Sequence, residues 1–109
     1  MKLHVLLTVD QSDRIELLLN KFRNLRDYCD HEGHELVTEI VVMGNAVSYF
    51  RTLADDNVFL NLPADVALCN NALQAQHMEP VTYKNVRTVY AGIGEIVTKK
   101  QQGWVDYVV

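Results

Sequence analysis

Residues 3–9 read Leu3-His4-Val5-Leu6-Leu7-Thr8-Val9, a short run rich in leucine and β-branched side chains. Such a run predicts a strand that is covered on both faces, as the strands of parallel sheets are. An apolar stripe at spacings of three and four residues follows, opposite a basic face, and predicts a long amphipathic helix that ends near Gly33. The stripe consists of Ile15, Leu18, Phe22, Leu25 and Cys29.

The rest of the chain repeats this alternation. Residues 36–43 predict a second strand, closed by Gly44-Asn45 and followed by helical spacing over 46–53. Residues 66–69 predict a third strand, followed by a helix to about residue 78 that Pro80 must stop. Residues 86–90 predict a fourth strand and residues 104–109 a fifth. The helix between them carries one apolar side, made of Ile93, Ile96, Val97 and Lys100.

Five strands with four intervening helices predict an α/β fold, with a mainly parallel sheet and helices on both of its faces. A chain of 109 residues is too short for two domains, so we expect a single domain over 1–109. Residues 54–65 fit neither period. Their apolar residues 58–60 are expected to cover the core, or alternatively to meet a partner subunit.

Composition excludes several classes of protein. With 49% apolar residues the chain is globular, and a net charge of −4 argues against a nucleic-acid-binding surface. No apolar run approaches the ~20 residues of a membrane-spanning helix, and the N-terminus lacks signal-peptide features. We therefore expect a cytoplasmic protein. Two cysteines, which are expected to be reduced there, are too few for a disulfide scaffold.

Reactive groups in parallel α/β sheets gather outside the carboxyl ends of the strands. That rule predicts that four turns converge on one edge of the sheet. They are Asp10, Met43-Gly44-Asn45, Cys69-Asn70-Asn71 and Ala91-Gly92-Ile93-Gly94.

Cys69 is the strongest candidate for chemistry, because it ends a strand at the mouth of a predicted helix. The positive end of a helix dipole stabilises a thiolate and makes the sulfur nucleophilic. Asn70 and Asn71 are expected to cap this helix and to offer amide donors to an anion. The alternative is that Cys69 only packs, as free cysteines often do. Cys29, on the apolar stripe, is assigned to the core.

The remaining motifs are weaker. Gly92-x-Gly94 lacks the third glycine of a dinucleotide motif, so it predicts a tight turn with close backbone approach that opens a helix N-terminus, where a small anion could bind. Glu95 there is interpreted as a partner of the helix dipole. His31 and His34 are a conceivable metal pair but are better explained as solvated side chains. No metal and no cofactor is predicted.

Three stretches resemble a known family, the DsrE/DsrF-like (YchN-like) family of small intracellular sulfur-metabolism proteins. The similar segments are residues 41–47, the cysteine-asparagine turn of residues 68–73, and residues 89–97 followed by Gln101-Gln102-Gly103-Trp104. The resemblance spans most of the chain and is poorest over 54–65.

This resemblance implies a three-layer α/β/α fold with a five-stranded, mostly parallel sheet, and assembly into trimers or hexamers. It also implies that Cys69 carries sulfur as a persulfide between donor and acceptor proteins. The sequence departs from the family at Met43, where many relatives have histidine before the glycine.

Two functions follow as hypotheses. In the first, the chain is a sulfur-relay protein, a sulfurtransferase-like sulfur carrier with Cys69 as the carrying thiol. The residues around it are Gly44, Asn45, Asn70, Asn71, Gly92 and Gly94. In the second, a non-catalytic homo-oligomer binds a small anionic metabolite at the same strand-end pocket, with Cys69 buried and unreactive. The apolar residues 58–60 and 104–109 predict the oligomer in both cases.

Overall fold

A computed structural model describes all 109 residues as one five-stranded sheet with helices. The strands lie in the order β4-β3-β2-β1-β5, and every neighbouring pair is parallel, so the α/β prediction is confirmed. In chain order the elements are β1 (Lys2–Val9), α1 (Ile15–Glu32), β2 (Glu35–Val42), β3 (Asp65–Cys69), α2 (Asn70–Ala75), β4 (Val86–Val89), α3 (Gly92–Gln101) and β5 (Val105–Val108). Short 3₁₀ helices occupy Ser12–Arg14, Gly44–Phe50 and Val58–Asn61.

The strands place alternate side chains in two separate cores, as a sheet between two helical layers requires. Val5 and Leu7 of β1 pack in the large core, which α1, α2 and the 3₁₀ helix Gly44–Phe50 also build. Leu6 points to the other face, where it packs with Val41 of β2 and Ile96 of α3. The result is a three-layer α/β/α arrangement in which α3 stands on its own face of the sheet.

Two predicted helices are shorter or more tightly wound than expected. The helical spacing over 46–53 belongs to the 3₁₀ helix Gly44–Phe50, whose winding stacks Val47 and Phe50, three residues apart, on the buried side. The helix after β3 ends at Ala75, before the expected stop near Met78. Its end is set by His77, which adopts a left-handed φ of 55°, and not by Pro80.

Residues 54–65 cover the core, as the first of the two alternatives predicted. Phe59 is fully buried, and its ring packs edge-on against Phe50 with 5.0 Å between ring centroids. Asn85 ties this segment to the start of β4 by donating to the carbonyls of Phe59 and Ala64. Phe59 is therefore part of the core, while its neighbours Val58 and Leu60 are half-buried.

The predicted apolar side of α3 was wrong in detail. Of its members only Ile96 is buried, while Ile93 and Val97 are 64% and 57% exposed. The helix instead turns Glu95 and Lys99 toward the sheet, because they pair with charged residues that the strands present there.

The two edges of the sheet differ. The outer side of β4 is covered by residues 81–83, through a bridge between Tyr83 and Val86 and hydrogen bonds between Thr88 and Val81. The outer side of β5 has no such cover, and Val105, Tyr107 and Val108 are exposed there. No helix has the length and apolar character needed to cross a membrane.

Candidate functional site

The turns after β1 and β2 meet at the carboxyl edge of the sheet. The Asn45 side chain accepts a hydrogen bond from the backbone N–H of Ser12 at 2.7 Å. Gly44 has a φ of +53°, and a Cβ built on it would lie 2.5 Å from the backbone oxygen of Asp10. Only glycine fits both the conformation and the space. These two turns are therefore fastened to each other.

The turns after β3 and β4 form a second group, and Met43 of the β2 turn joins it. A Cβ built on Gly92 would lie 2.6 Å from the sulfur of Met43 and 3.4 Å from the Cβ of Cys69. The close backbone approach that the glycine pair predicted is thereby confirmed at Gly92, which is buried. The first residue of α3 thus lies against both Met43 and Cys69.

Cys69 stands where the sequence placed it, at the end of β3 and the start of α2, and it is 7% exposed. The prediction that Asn70 and Asn71 cap α2 was wrong. Cys69 itself occupies the N-cap position, so both asparagines are already inside the helix, and no side chain caps it. Because α2 has only six residues, its dipole is short.

The residues that the sequence placed around Cys69 differ in how close they lie to it. Asn70 is half-buried and Asn71 exposed, next to Cys69 in the chain. Gly44 and Asn45 are exposed, and their contacts are with Asp10 and Ser12 of the turn after β1. Gly94 is also exposed, with no atom within 4 Å of a Cβ built on it. The structure therefore brings Met43, Cys69 and Gly92 together and leaves the other residues around them.

The surface cavities of the single chain lie away from this group. One, of about 280 Å³, is lined by α1, β1 and β5 residues that include Lys21, Leu25 and Tyr107. The other two, of about 560 and 310 Å³, are lined from α1 together with residues 56–63 or 34–36. Neither Cys69 nor Gly92 lines any of them.

The other cysteine, Cys29, and the histidines His31 and His34 form no reactive or metal-binding group. Cys29 is 1% exposed on α1 and belongs to the core, as predicted. His34 Nδ1 accepts a hydrogen bond at 3.0 Å from the N-terminal ammonium group of Met1, and the side chain of His31 is 86% exposed. No three histidine, cysteine or acidic side chains are grouped so as to hold a metal ion.

Sequence reasoning missed a charged cluster beneath α3. Arg87 of β4 donates to Glu39 at 3.2 Å, to Glu95 at 2.8 Å and to Asp65 at 3.0 Å. The amine of Lys99 lies 3.5 Å from the other oxygen of Glu39. The one signal in the sequence was Glu39 itself, a carboxylate within the otherwise apolar run 39–43. We call these five residues the α3 cluster.

Burial dominates the electrostatics of the α3 cluster. The side chain of Glu39 is 2% exposed, and this burial, with the neighbouring carboxyl of Glu95, raises its pKa to about 8. Glu95, by contrast, has a lowered pKa, because Glu39 donates a hydrogen bond to it and Arg87 lies beside it. Glu39 therefore keeps its proton to a higher pH than an ordinary glutamate, whereas Glu95 gives up its proton more readily.

Comparison with known proteins supports the fold and nothing finer. The chain is similar to the solved structure of a protein of unknown function, MTH1491, from Methanobacterium thermoautotrophicum. The two share 22% of their residues, with a TM-score of 0.78 over 98% of this chain and 99% of that one. No protein-family model matches the chain, and no curated protein matches it. At that identity the likeness shows a shared α/β architecture over the whole length of both chains.

Proposed function

We propose that this protein is a small sulfur carrier of the DsrE/DsrF-like kind, in which Cys69 holds a sulfane sulfur as a persulfide. The observation that carries the proposal is the position of the thiol. Cys69 ends β3 at the carboxyl edge of the sheet, with its Cβ 3.4 Å from the Cβ position of Gly92 at the start of α3. In parallel α/β sheets this edge is where reactive groups gather.

The transfer needs only thiol chemistry. The Cys69 thiolate attacks the outer sulfur of a donor persulfide R–S–SH, the S–S bond of the donor breaks, and the donor leaves as the thiolate R–S⁻. Cys69 then carries the –S–SH group, and an acceptor thiolate removes its outer sulfur in the same way. No external oxidant or reductant enters, which suits a chain for which no cofactor is proposed.

The surroundings of Cys69 supply groups for a sulfur anion. The helix α3 begins at Gly92, so its first backbone N–H groups are at the edge where the persulfide would form. The amides of Asn70 and Asn71 follow directly in the chain, and Gly94, Gly44 and Asn45 border the same edge. Met43 also packs against Gly92, and a flexible methionine side chain is well suited to adjust as a persulfide forms.

Persulfide loading followed by intact-mass measurement tests the proposal. After treatment with glutathione persulfide we expect an increase of about 32 Da, one sulfur atom, that dithiothreitol removes. Cys69→Ser should lose the adduct, whereas the matched variant Cys29→Ser should keep it, because Cys29 is 1% exposed in the core. An unmodified protein, or an adduct that survives Cys69→Ser, would overturn the proposal.

One observation favours the second candidate, an oligomeric protein that binds a small anion without using the thiol. Cys69 is 7% exposed and lines none of the cavities, as an unreactive thiol would. Titration of the native protein with a large, slow thiol reagent separates the two. Modification of Cys69 before unfolding supports the carrier. Modification only on denaturation, with thermal stabilisation by inorganic phosphate that persists in Cys69→Ser, supports the binding protein.

In either case the protein is proposed to act as a homo-oligomer in the cytoplasm, a trimer or a hexamer by the family resemblance. The exposed apolar side chains of β5 and α3 support assembly, since small monomers rarely leave such surface uncovered. A carrier would in addition meet a donor and an acceptor protein in turn.

A further inference from the structure

The attachment of α3 to the sheet rests on little apolar contact. Ile96 is the only fully apolar side chain of α3 that is buried, and its core contains just two strand residues, Leu6 and Val41. Partly buried Met43 and Trp104 pack against this small core, and ion pairs supply further contacts. Glu95 in its first turn pairs with Arg87, and Lys99 in its last turn pairs with Glu39. The α3 cluster thus acts at both ends of the helix.

The charges of the α3 cluster do not balance when all its groups are ionised. Three carboxylates, from Glu39, Asp65 and Glu95, face two cations, Arg87 and Lys99. The extra negative charge falls on Glu39, which is 2% exposed, whereas Asp65 is 45% exposed and hydrated. Burying an unbalanced charge is costly, so the cluster is neutral only if one proton is retained between Glu39 and Glu95.

We propose that the α3 cluster is a pH-sensitive latch, in which one proton held between Glu39 and Glu95 keeps α3 seated and loss of that proton loosens the helix and opens Cys69 to solvent. Loss of the proton leaves two carboxylates facing each other across Arg87. Repulsion then acts directly between β2, which is fixed in the middle of the sheet, and the first turn of α3.

The groups that face Glu39 leave no other balancing charge. From β3 it faces Asp65, from β4 Arg87, and from α3 Glu95 and Lys99. On β1 its partner in register is the apolar Leu6. Farther along that face, His4 packs on Trp104 with 5.1 Å between ring centroids, and Lys99 lies over the same ring. Asp106 of β5, in register with Leu6, accepts a hydrogen bond from Thr8, and Lys2 and Glu35 lie at the start of β1 and β2.

The connection to Cys69 runs through Gly92. This residue opens α3, lies three positions before Glu95 and packs against Met43 and Cys69. Movement of the first turn of α3 therefore uncovers the thiol. The raised pKa of Glu39, about 8, places the release just above neutral pH.

Labelling of the native protein with iodoacetamide at about pH 6.5 and at about pH 9, with peptides quantified by mass spectrometry, tests the latch without any persulfide chemistry. Each Cys69 rate is divided by the rate for glutathione at the same pH, which removes the ordinary effect of thiol ionisation. We expect this ratio to rise about tenfold or more from the lower to the higher pH, whereas Cys29 stays unlabelled. Labelling of both cysteines together would indicate global unfolding and overturn the latch.

Two variants make the result specific. Glu39→Gln keeps the hydrogen bonds of the protonated acid, and Glu95→Gln removes the excess charge from the other side. Both should abolish the rise in the ratio, and Glu95→Gln serves if Glu39→Gln does not fold. The proposal would be overturned if either folded variant showed the same rise, or if the ratio of the Cys69 rate to the glutathione rate did not change with pH in the unmodified protein. Because the experiment measures alkylation of Cys69, the latch can be confirmed even if Cys69 proves unable to carry sulfur.

Discussion

Met43 fills the space in which a side chain on Gly92 would begin, since a Cβ built on Gly92 lies 2.5 Å from the Cγ of Met43. The relationship explains why a glycine opens α3. A larger residue at this helix start would have to displace the methionine side chain. Methionine at 43 and glycine at 92 are therefore matched to each other, next to Cys69.

Gly92→Ala is expected to destabilise the protein by about 1–3 kcal/mol, because the new methyl overpacks against Met43. It should also raise the native alkylation rate of Cys69. The matched control is Gly94→Ala, two residues on in the same helix, which meets open space and should stabilise by about 0.5–1 kcal/mol. Urea unfolding measures the change in the free energy of unfolding for both variants.

A double-mutant cycle tests whether contact with Met43 is the reason that Gly92→Ala destabilises the protein. Met43→Ala should relieve the overpacking, so the cost of Gly92→Ala measured in that background should fall to near zero. An equal cost in both backgrounds would show that the glycine is required for something other than the methionine.

Gly44→Ala is expected to be more harmful, at more than about 2 kcal/mol, because backbone strain and a backbone clash add. Residue 44 has a φ of +53°, and the new Cβ would meet the carbonyl oxygen of Asp10, which cannot rotate away as a side chain can. Gly33→Ala separates the two effects. It has a φ of +74° with open space around it, so it should cost only about 1 kcal/mol by thermal or urea unfolding.

Much of the fold could be predicted from hydrophobic period alone. The strands that are covered on both faces, such as residues 3–9, are continuous apolar runs, and the long stripe on α1 has one unambiguous buried side. The position of Cys69 at the carboxyl edge follows from topology. The packing around Cys69 does not follow from topology, because its contact with Gly92 joins residues 23 positions apart in the chain, and Met43 from a third turn packs against the same glycine.

Sequence reasoning failed where charge, and not apolar period, decides which side is buried. The spacing of Ile93, Ile96 and Val97 indicated an apolar face for α3. In the structure Glu95 and Lys99 face the sheet instead, because they form ion pairs with Arg87 and Glu39 on the strands. No local pattern shows such a pairing, since its members come from three strands and a helix. The early end of α2 was also missed. His77 ends the helix with a left-handed conformation that histidine seldom adopts, and no local pattern indicated it.

Assembly is expected through the uncovered edge of β5. An exposed apolar edge strand offers unpaired backbone groups, and lysines on such a strand block pairing. We expect light scattering to give about three or six times the chain mass of 12.4 kDa, and the double variant Val105→Lys/Val108→Lys to give a smaller assembly or a monomer. Tyr28→Lys, which replaces a 55% exposed aromatic on α1, is the control and should leave the mass unchanged. A monomeric unmodified protein at micromolar concentration would contradict the expectation.

Stability is expected to fall as the pH rises from about 5 to about 8, with a slope of up to about 1.4 kcal/mol per pH unit from Glu39. The sign follows from the pKa of Glu39, which is about 8 in the folded protein and 4.5 as the ordinary value. Between these values the folded state keeps a proton that the unfolded state has lost. The stabilisation is therefore complete below the lower value and is lost as the pH rises through the higher one.

Glu95 contributes the opposite dependence at lower pH. Its pKa is lowered by the hydrogen bond from Glu39 and by Arg87, so its stabilisation is present above the ordinary value of 4.5 and is lost as the pH falls through its folded pKa. Urea midpoints across the pH range measure both effects. Glu39→Gln should remove the decline between pH 5 and 8, whereas Glu35→Gln, an exposed glutamate on the same strand, should retain it. A decline that is unchanged in Glu39→Gln would show that Glu39 is not the group that titrates.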